Sequence, residues 1–194
     1  LYFNQIIKDF PKNKNAVQAY QEFQSKFEAG VFAASDPQLK KIQTLKDLYR
    51  QGRFQELAFE AEPIAKILPN NLTVQILIGE AYAGISEYGA AIKTYQNLLT
   101  IYPDFIPAYI SIGNIQVKTG NLDAAISNYK KSFLIDQYCV DAHINIGNTL
   151  MKKNEVAAAI RHYKKAIVIA PESPLPYNCL GLALHEKLLC LSLV

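Results

Sequence analysis

Cys139 and His143 stand four residues apart, one helical turn if both are helical. A thiolate and an imidazole at that spacing are half of a tetrahedral metal site. No second pair completes the set, and His143 falls where the repeat described below places an aromatic packing residue, so packing is the expected role. His162 and His185 stand alone on helical stretches with no carboxylate partner evident in sequence. A glycine-rich phosphate loop needs a strand before it, and the chain offers no convincing strand. Ser-His-Asp and Cys-His sites assemble in space rather than in sequence, and nothing here points to one. The chain reads as a non-enzyme that holds no metal and no cofactor.

Composition narrows the classes further. The chain has 194 residues, half of them apolar, enough to bury a continuous core without disulfides or metals. Its net charge of +3 is mild, and the basic residues are scattered among acidic ones. No basic stripe with interleaved aromatics marks a nucleic-acid surface. Cys139, Cys179 and Cys190 form an odd set without paired spacing, which reads as buried thiols in a reducing, cytoplasmic setting.

The elements that would position any site recur at a fixed interval. Gly79, Gly113, Gly147 and Gly181 lie 34 residues apart. Ala91, Ala125 and Ala159 keep the same step, as do Tyr95, Tyr129 and Tyr163. So do Pro69 and Pro103, and the step returns at Pro171 across a substituted Gln137. Such a period marks a helical solenoid of stacked units, none of which buries its apolar face alone. Gly in the first helix of a unit is expected to face Ala in the second, with Ile112, Tyr129 and Leu134 filling the space around that contact. Asn121 and Asn154 sit where a side-chain oxygen caps a helix start. Asp36-Pro37 and Ser173-Pro174 read as helix starts with proline at the first position. Pro103 and Pro171 close second helices, and Pro63 is expected to kink one.

These marks resemble the tetratricopeptide repeat. The Ile78-Gly79, Ile112-Gly113, Ile146-Gly147 and Leu180-Gly181 pairs stand at the family's Leu-Gly position, with Tyr82 at its Tyr. Tyr109, His143 and Tyr177 stand at its aromatic position. The resemblance implies an all-α, right-handed superhelical solenoid of antiparallel helix pairs. Its units run about 38–71, 72–105, 106–139 and 140–173, with a partial unit at 174–194. The first of these departs from the pattern, with Leu45 at the Gly position and Leu57 at the Ala position. Residues 1–35 read as the second helix of a preceding unit, built on Tyr2, Phe3, Ile6, Ile7 and Phe10, followed by an amphipathic linker helix.

The resemblance further implies that first helices line a concave groove where a protein or peptide partner lies. The groove residues are then Glu80, Ile110, Ser111, Asn114, Lys118, Ile144, Asn145, Asn148 and Lys152. Lys46, Tyr49, Arg50, Ile76, Leu77, Asn178, Cys179 and Leu182 fall on the same phase. Asn114, Asn145 and Asn148 offer donors and acceptors for the backbone of an extended peptide, and Ile110 and Ile144 offer apolar contact. A carboxylate clamp of the kind some members carry lacks its cations here, since Ile110, Leu175 and Cys179 occupy those places.

The expected function is an interaction scaffold that binds an extended segment or a helix. A second reading is a substrate-recruiting arm of a larger, bacterial enzyme such as a sulfotransferase or glycosyltransferase. A third is a self-assembling scaffold that associates through the apolar 188–194 tail. That tail is too short to span a membrane, and is expected to be a truncation folded onto the last helix.

Overall fold

The computed structural model describes residues 37–192, with side chains as far as Leu188. The readings made for residues 1–36, Asp36 among them, fall outside this span. Among the described residues there are nine helices and no strand: α1 Pro37–Arg50, α2 Phe54–Ile67, α3 Leu72–Gly84, α4 Tyr88–Ile101, α5 Ile106–Lys118, α6 Leu122–Ile135, α7 Val140–Lys152, α8 Val156–Ile169 and α9 Pro174–Ser192. The connections alternate between three and four residues, the lengths that join helices folded back on each other. Prolines stand at the first position of α1 and α9, and two residues after the ends of α2, α4 and α8.

Every three-residue turn from a first to a second helix has one left-handed residue. These are Gly52, Ser86, Gly120 and Asn154, with φ of 70°, 66°, 80° and 62°. In each turn the next amide reaches back five residues to close the helix end. Arg53 bonds Leu48, Glu87 bonds Tyr82, Asn121 bonds Gln116 and Glu155 bonds Leu150, at 2.8–3.0 Å. This is a Schellman closure, and it needs a residue that tolerates positive φ. Asn154 therefore ends α7 rather than capping α8. Asn121 does precede α6, but its side chain makes no cap bond, and its amide donates to Thr119 Oγ1 instead. A side-chain cap forms at Asn71, whose Oδ1 accepts from the Val74 amide at the start of α3.

The chain divides into two compact units, the first ending at Ala108 and the second beginning at Tyr109. In the first, Ile42, Leu45, Leu57, Ala61, Val74, Ile78 and Ala81 form the buried core. In the second the core is Ala125, Ile126, Tyr129, Ile146, Leu150, Ala159, Ile160, Tyr163 and Ala183. Ile112 is buried as expected, but Leu134 points outward at 78 % exposure. Its place in the repeat lies on the outer side of α6, away from the seam between helices.

The glycine column has a different cause from the one expected. A Cβ on Gly79 would lie 2.7 Å from the Tyr95 ring, and one on Gly113 or Gly147 would collide with the ring of Tyr129 or Tyr163. The glycines thus make room for tyrosine rings rather than for the small alanines. The departing first repeat obeys the same rule in reverse. Leu45 stands at the glycine position and Ala61 at the tyrosine position, both fully buried. A large side chain has moved from one wall of the seam to the other, conserving volume.

Pro63 and residues 188–192 both lie within continuous helices. α2 runs unbroken through Pro63, and the carbonyl left without a donor belongs to Phe59, an exposed residue that water can reach. Residues 188–192 continue α9, which reaches a length of 19 residues.

Candidate functional site

In each unit the residue after the repeat glycine receives a tyrosine hydroxyl from the following helix. Tyr95 Oη donates to Glu80 Oε1 at 2.7 Å in the first unit. In the second, Tyr129 Oη donates to Asn114 Oδ1 at 2.7 Å, and Tyr163 Oη to Asn148 Oδ1 at 2.8 Å. The glycine admits the ring, so the hydroxyl comes through to the far side of the first helix and meets that residue. Burial pushes the Tyr129 and Tyr163 phenols up to about 12, so both stay protonated donors at neutral pH. With its oxygen held, each asparagine keeps its amide N–H groups for a ligand.

The other expected groove residues fall into three groups. Lys118 and Lys152 are exposed, four residues beyond Asn114 and Asn148, and neither has an ion-pair partner among the described residues. Asn145 and Ser111 are half-buried, and the Asn145 side chain bonds to no other described residue. Ile144 is only 5 % exposed and belongs to the interior, so it does not supply the apolar contact expected of it. Ile110 is half-buried against the core of its unit. In the first unit Leu77 is likewise buried, and Arg50 is taken up by Asp47 at 2.8 Å. Burial, then Arg50, lowers the pKa of Lys46.

The histidines are arranged otherwise than sequence suggested. His143 packs as expected, buried and stacked on Phe133 with ring centroids 5.4 Å apart. His162 is not alone: its Nδ1 lies 3.1 Å from Nδ1 of His143. One neutral ring donates and the other accepts. Burial, then the charge of His143, pulls His162 down to about 4, with Lys165, Lys130 and Arg161 adding to the effect. Their separation of 19 residues matches no metal-ligand spacing, so no local pattern advertises the pair. No cluster of three metal-ligating side chains forms among the described residues. Cys139 and Cys179 are free thiols, the first buried and the second half-buried, and burial raises Cys139 to about 11.

Comparison with known proteins identifies two of the repeats. The tetratricopeptide repeat profile matches residues 106–139, and a second TPR repeat profile matches residues 147–187. Those two stretches are tetratricopeptide repeats. No curated protein matches the chain by sequence. Among solved structures, MamA is 23 % identical, with a TM-score of 0.63 over 74 % of this chain and 84 % of that one. MamA from Desulfovibrio magneticus RS-1 is 18 % identical, with a TM-score of 0.66 over 80 % and 88 %. The Cut9–Hcn1 complex gives 17 % identity and a TM-score of 0.66, over 88 % of this chain and 34 % of that one. At these identities the likeness is one of fold, the all-α helical-repeat solenoid class. Tetratricopeptide repeats support a scaffold for protein interaction, and that is the general role of this chain. No helix among the described residues is long and apolar enough to cross a membrane.

Proposed function

We propose that the chain is a non-catalytic adaptor that holds an extended segment of a partner protein against the first-helix face of its second unit. Asn114, Asn145 and Asn148 bond the partner's backbone, with Ser111, Lys118 and Lys152 beside them. The observation that carries this reading is the pair of tyrosine tethers, Tyr129 to Asn114 and Tyr163 to Asn148. A tethered amide gives up little side-chain entropy when it binds, which is what preorganisation contributes to affinity. The buried thiols suit a reducing, cytoplasmic setting.

The test is capture of a partner by the Asn145→Ala, Asn148→Ala double variant. Each lost hydrogen bond is expected to weaken capture by about 1 kcal/mol with circular dichroism unchanged. Undiminished capture by a folded double variant would move the binding surface to the outer face or the turns.

A further inference from the structure

We infer that the outer face of the second helices of the second unit, α6 and α8, docks on a membrane surface rich in anionic lipid. The inference is independent of the groove, which belongs to first helices. The buried stripe of α6 is Ala125, Ile126, Tyr129 and Ser132, and that of α8 is Ala159, Ile160, Tyr163 and Ala166. Opposite these stripes by helical phase stand Lys130, Lys131 and Leu134 on α6, all exposed. Arg161, Lys164, Lys165 and Val168 stand opposite on α8 and are exposed as well. The doublets Lys130-Lys131 and Lys164-Lys165 lie 34 residues apart, and so do Leu134 and Val168. Each aliphatic residue follows the first lysine of its doublet by four, on the same face.

Most of the chain's excess charge gathers here. The face carries five cations and one acid, Asp123, which Lys153 holds at 2.7 Å. Of the acids beside it, Glu155 is also bonded by Lys153, at 2.8 Å, and Asp136 accepts the Tyr138 amide at 3.0 Å. Glu172 follows the end of α8, and Asp141 and Glu186 stand on the first helices α7 and α9. None of the five cations is in an ion pair among the described residues. Lys131 lies 5.5 Å from the centroid of the Tyr109 ring, a contact that leaves it charged. After burial and His143, the groups that depress His162 are Lys165, Lys130 and Arg161, so cations of both helices converge. Neither doublet lies in the last turn of its helix, where a cation would answer the helix dipole. The first unit has no such face: at the doublet's place α2 carries Glu62-Pro63 and α4 carries Gln96-Asn97.

Cations alone would serve any polyanion, and the aliphatic residues are what favour lipid. Leu134 is 78 % exposed and Val168 81 %, each one turn from a lysine. An apolar side chain in that setting enters the boundary between headgroups and acyl chains. The lysine stems lie along the same boundary, with their ammonium groups among the headgroups. Four of the five cations are lysines, point charges that a field of headgroups satisfies in any orientation, whereas bidentate phosphate contacts favour arginine. Single-stranded nucleic acid stacks its bases on exposed rings, and the outer face of α6 and α8 carries no aromatic residue. With two aliphatic side chains the attachment is peripheral and sensitive to salt.

The experiment is co-sedimentation at low salt with vesicles of phosphatidylcholine alone and of phosphatidylcholine mixed with phosphatidylserine. The chain is expected to sediment with the mixed vesicles only, and less as salt is raised. Lys130→Gln with Lys164→Gln should weaken that binding roughly thirtyfold, about fivefold for each basic residue at an anionic surface. Leu134→Ser with Val168→Ser should weaken it roughly tenfold, while leaving any binding of a thymidine oligonucleotide or polyglutamate as it was. Lys66→Gln with Lys93→Gln, on the outer face of the first unit, should change nothing. All these side chains are exposed, so circular dichroism should be unaltered. Equal sedimentation with both vesicles, sedimentation with neither, or indifference to the Lys130 and Lys164 changes overturns the proposal. An equal loss from the Lys66 and Lys93 changes overturns it too, since general charge would then suffice. A loss with the lysines but none with Leu134 and Val168 overturns the lipid surface in favour of a soluble polyanion, nucleic acid or acidic protein according to which probe binds.

Discussion

At the residue after its first-helix glycine the first unit carries Glu80 and the second carries Asn114 and Asn148, and in all three a buried tyrosine hydroxyl is the partner. Four residues on, the first unit has Gly84 where the second has Lys118, Lys152 and, on α9, Glu186. A Cβ on Gly84 would strike the ring of Phe54, so no lysine fits there without moving that ring. The first unit presents a carboxylate where the second presents amides followed by cations.

The largest effects should come from the seam itself. Leu45→Ala in the first unit removes the side chain that fills the seam opposite Ala61, and is expected to cost about 2–5 kcal/mol in urea unfolding. At the equivalent place in the second unit the opposite change is harmful. Gly147→Ala drives a methyl group into the Tyr163 ring and should cost about 1–3 kcal/mol. Gly181→Ala supplies the contrast, because nothing lies within 4 Å of its Cβ position. It should be neutral or gain about 1 kcal/mol from helix propensity. Equal stability of the Gly147 and Gly181 variants would mean that the ring yields and the seam argument is wrong.

Acidification should separate the two units next. His162 is held below its unfolded pKa, so its contribution is complete above about pH 6.5. It is lost as pH falls through the folded value of about 4, because the unfolded chain takes up the proton first. The neighbouring charges, Lys130, Arg161 and Lys165, are all positive and oppose the new cation. Half-exposed as it is, the group should contribute on the order of 1 kcal/mol after solvent screening. Hydrogen exchange should show the second unit loosening between pH 6.5 and 4, with His162→Gln flattening the response. The first unit's described residues contain no histidine and should not follow.

The turns give a comparison of similar size. Ser86 is the one residue of the left-handed column that is neither glycine nor asparagine. Ser86→Gly should raise stability by about 1 kcal/mol, and Asn154→Gly should change it by only a few tenths. A Ser86→Gly gain no larger than that of Asn154→Gly would remove the strain argument. Tyr163→Phe frees the Asn148 oxygen and should likewise cost about 1 kcal/mol. Peptide binding should weaken alongside, while Tyr95→Phe in the first unit leaves it unchanged.

How much of this was legible follows from what repeats in kind. The 34-residue step, the second-helix prolines and the helix starts at Pro37 and Pro174 depend on a residue and its near neighbours, so sequence shows them directly. The turn column was missed because Gly52, Ser86, Gly120 and Asn154 share a backbone angle and not a residue type. Asparagine serves both a helix start and a left-handed helix end, so the residue type of Asn154 does not tell the two apart. The glycine columns were visible, but their partners lie 16 residues away on another helix, and alanine was the wrong choice among several residues on that side. Asn114 and Asn148 were picked out as candidates on phase alone. Their tyrosine tethers needed the fold, as did the burial of Ile144 and the meeting of His143 with His162.

The tyrosine tethers also give the molecule an optical readout of its own. The chain has 12 tyrosines and no tryptophan, so its near-ultraviolet signal is a tyrosine signal. Tyr129 and Tyr163 in the second unit ionise only near 12 because they are buried. Tyr82 in the first does so because Glu62 accepts its hydroxyl at 2.6 Å. Neutral phenols are favoured in the folded state, so these groups add stability below pH 10 that is lost as pH rises through 12. An alkaline absorbance titration should therefore show the exposed phenols ionising first, and then a late, cooperative step as the chain opens. Single Tyr→Phe changes would divide that step between the units without any added label.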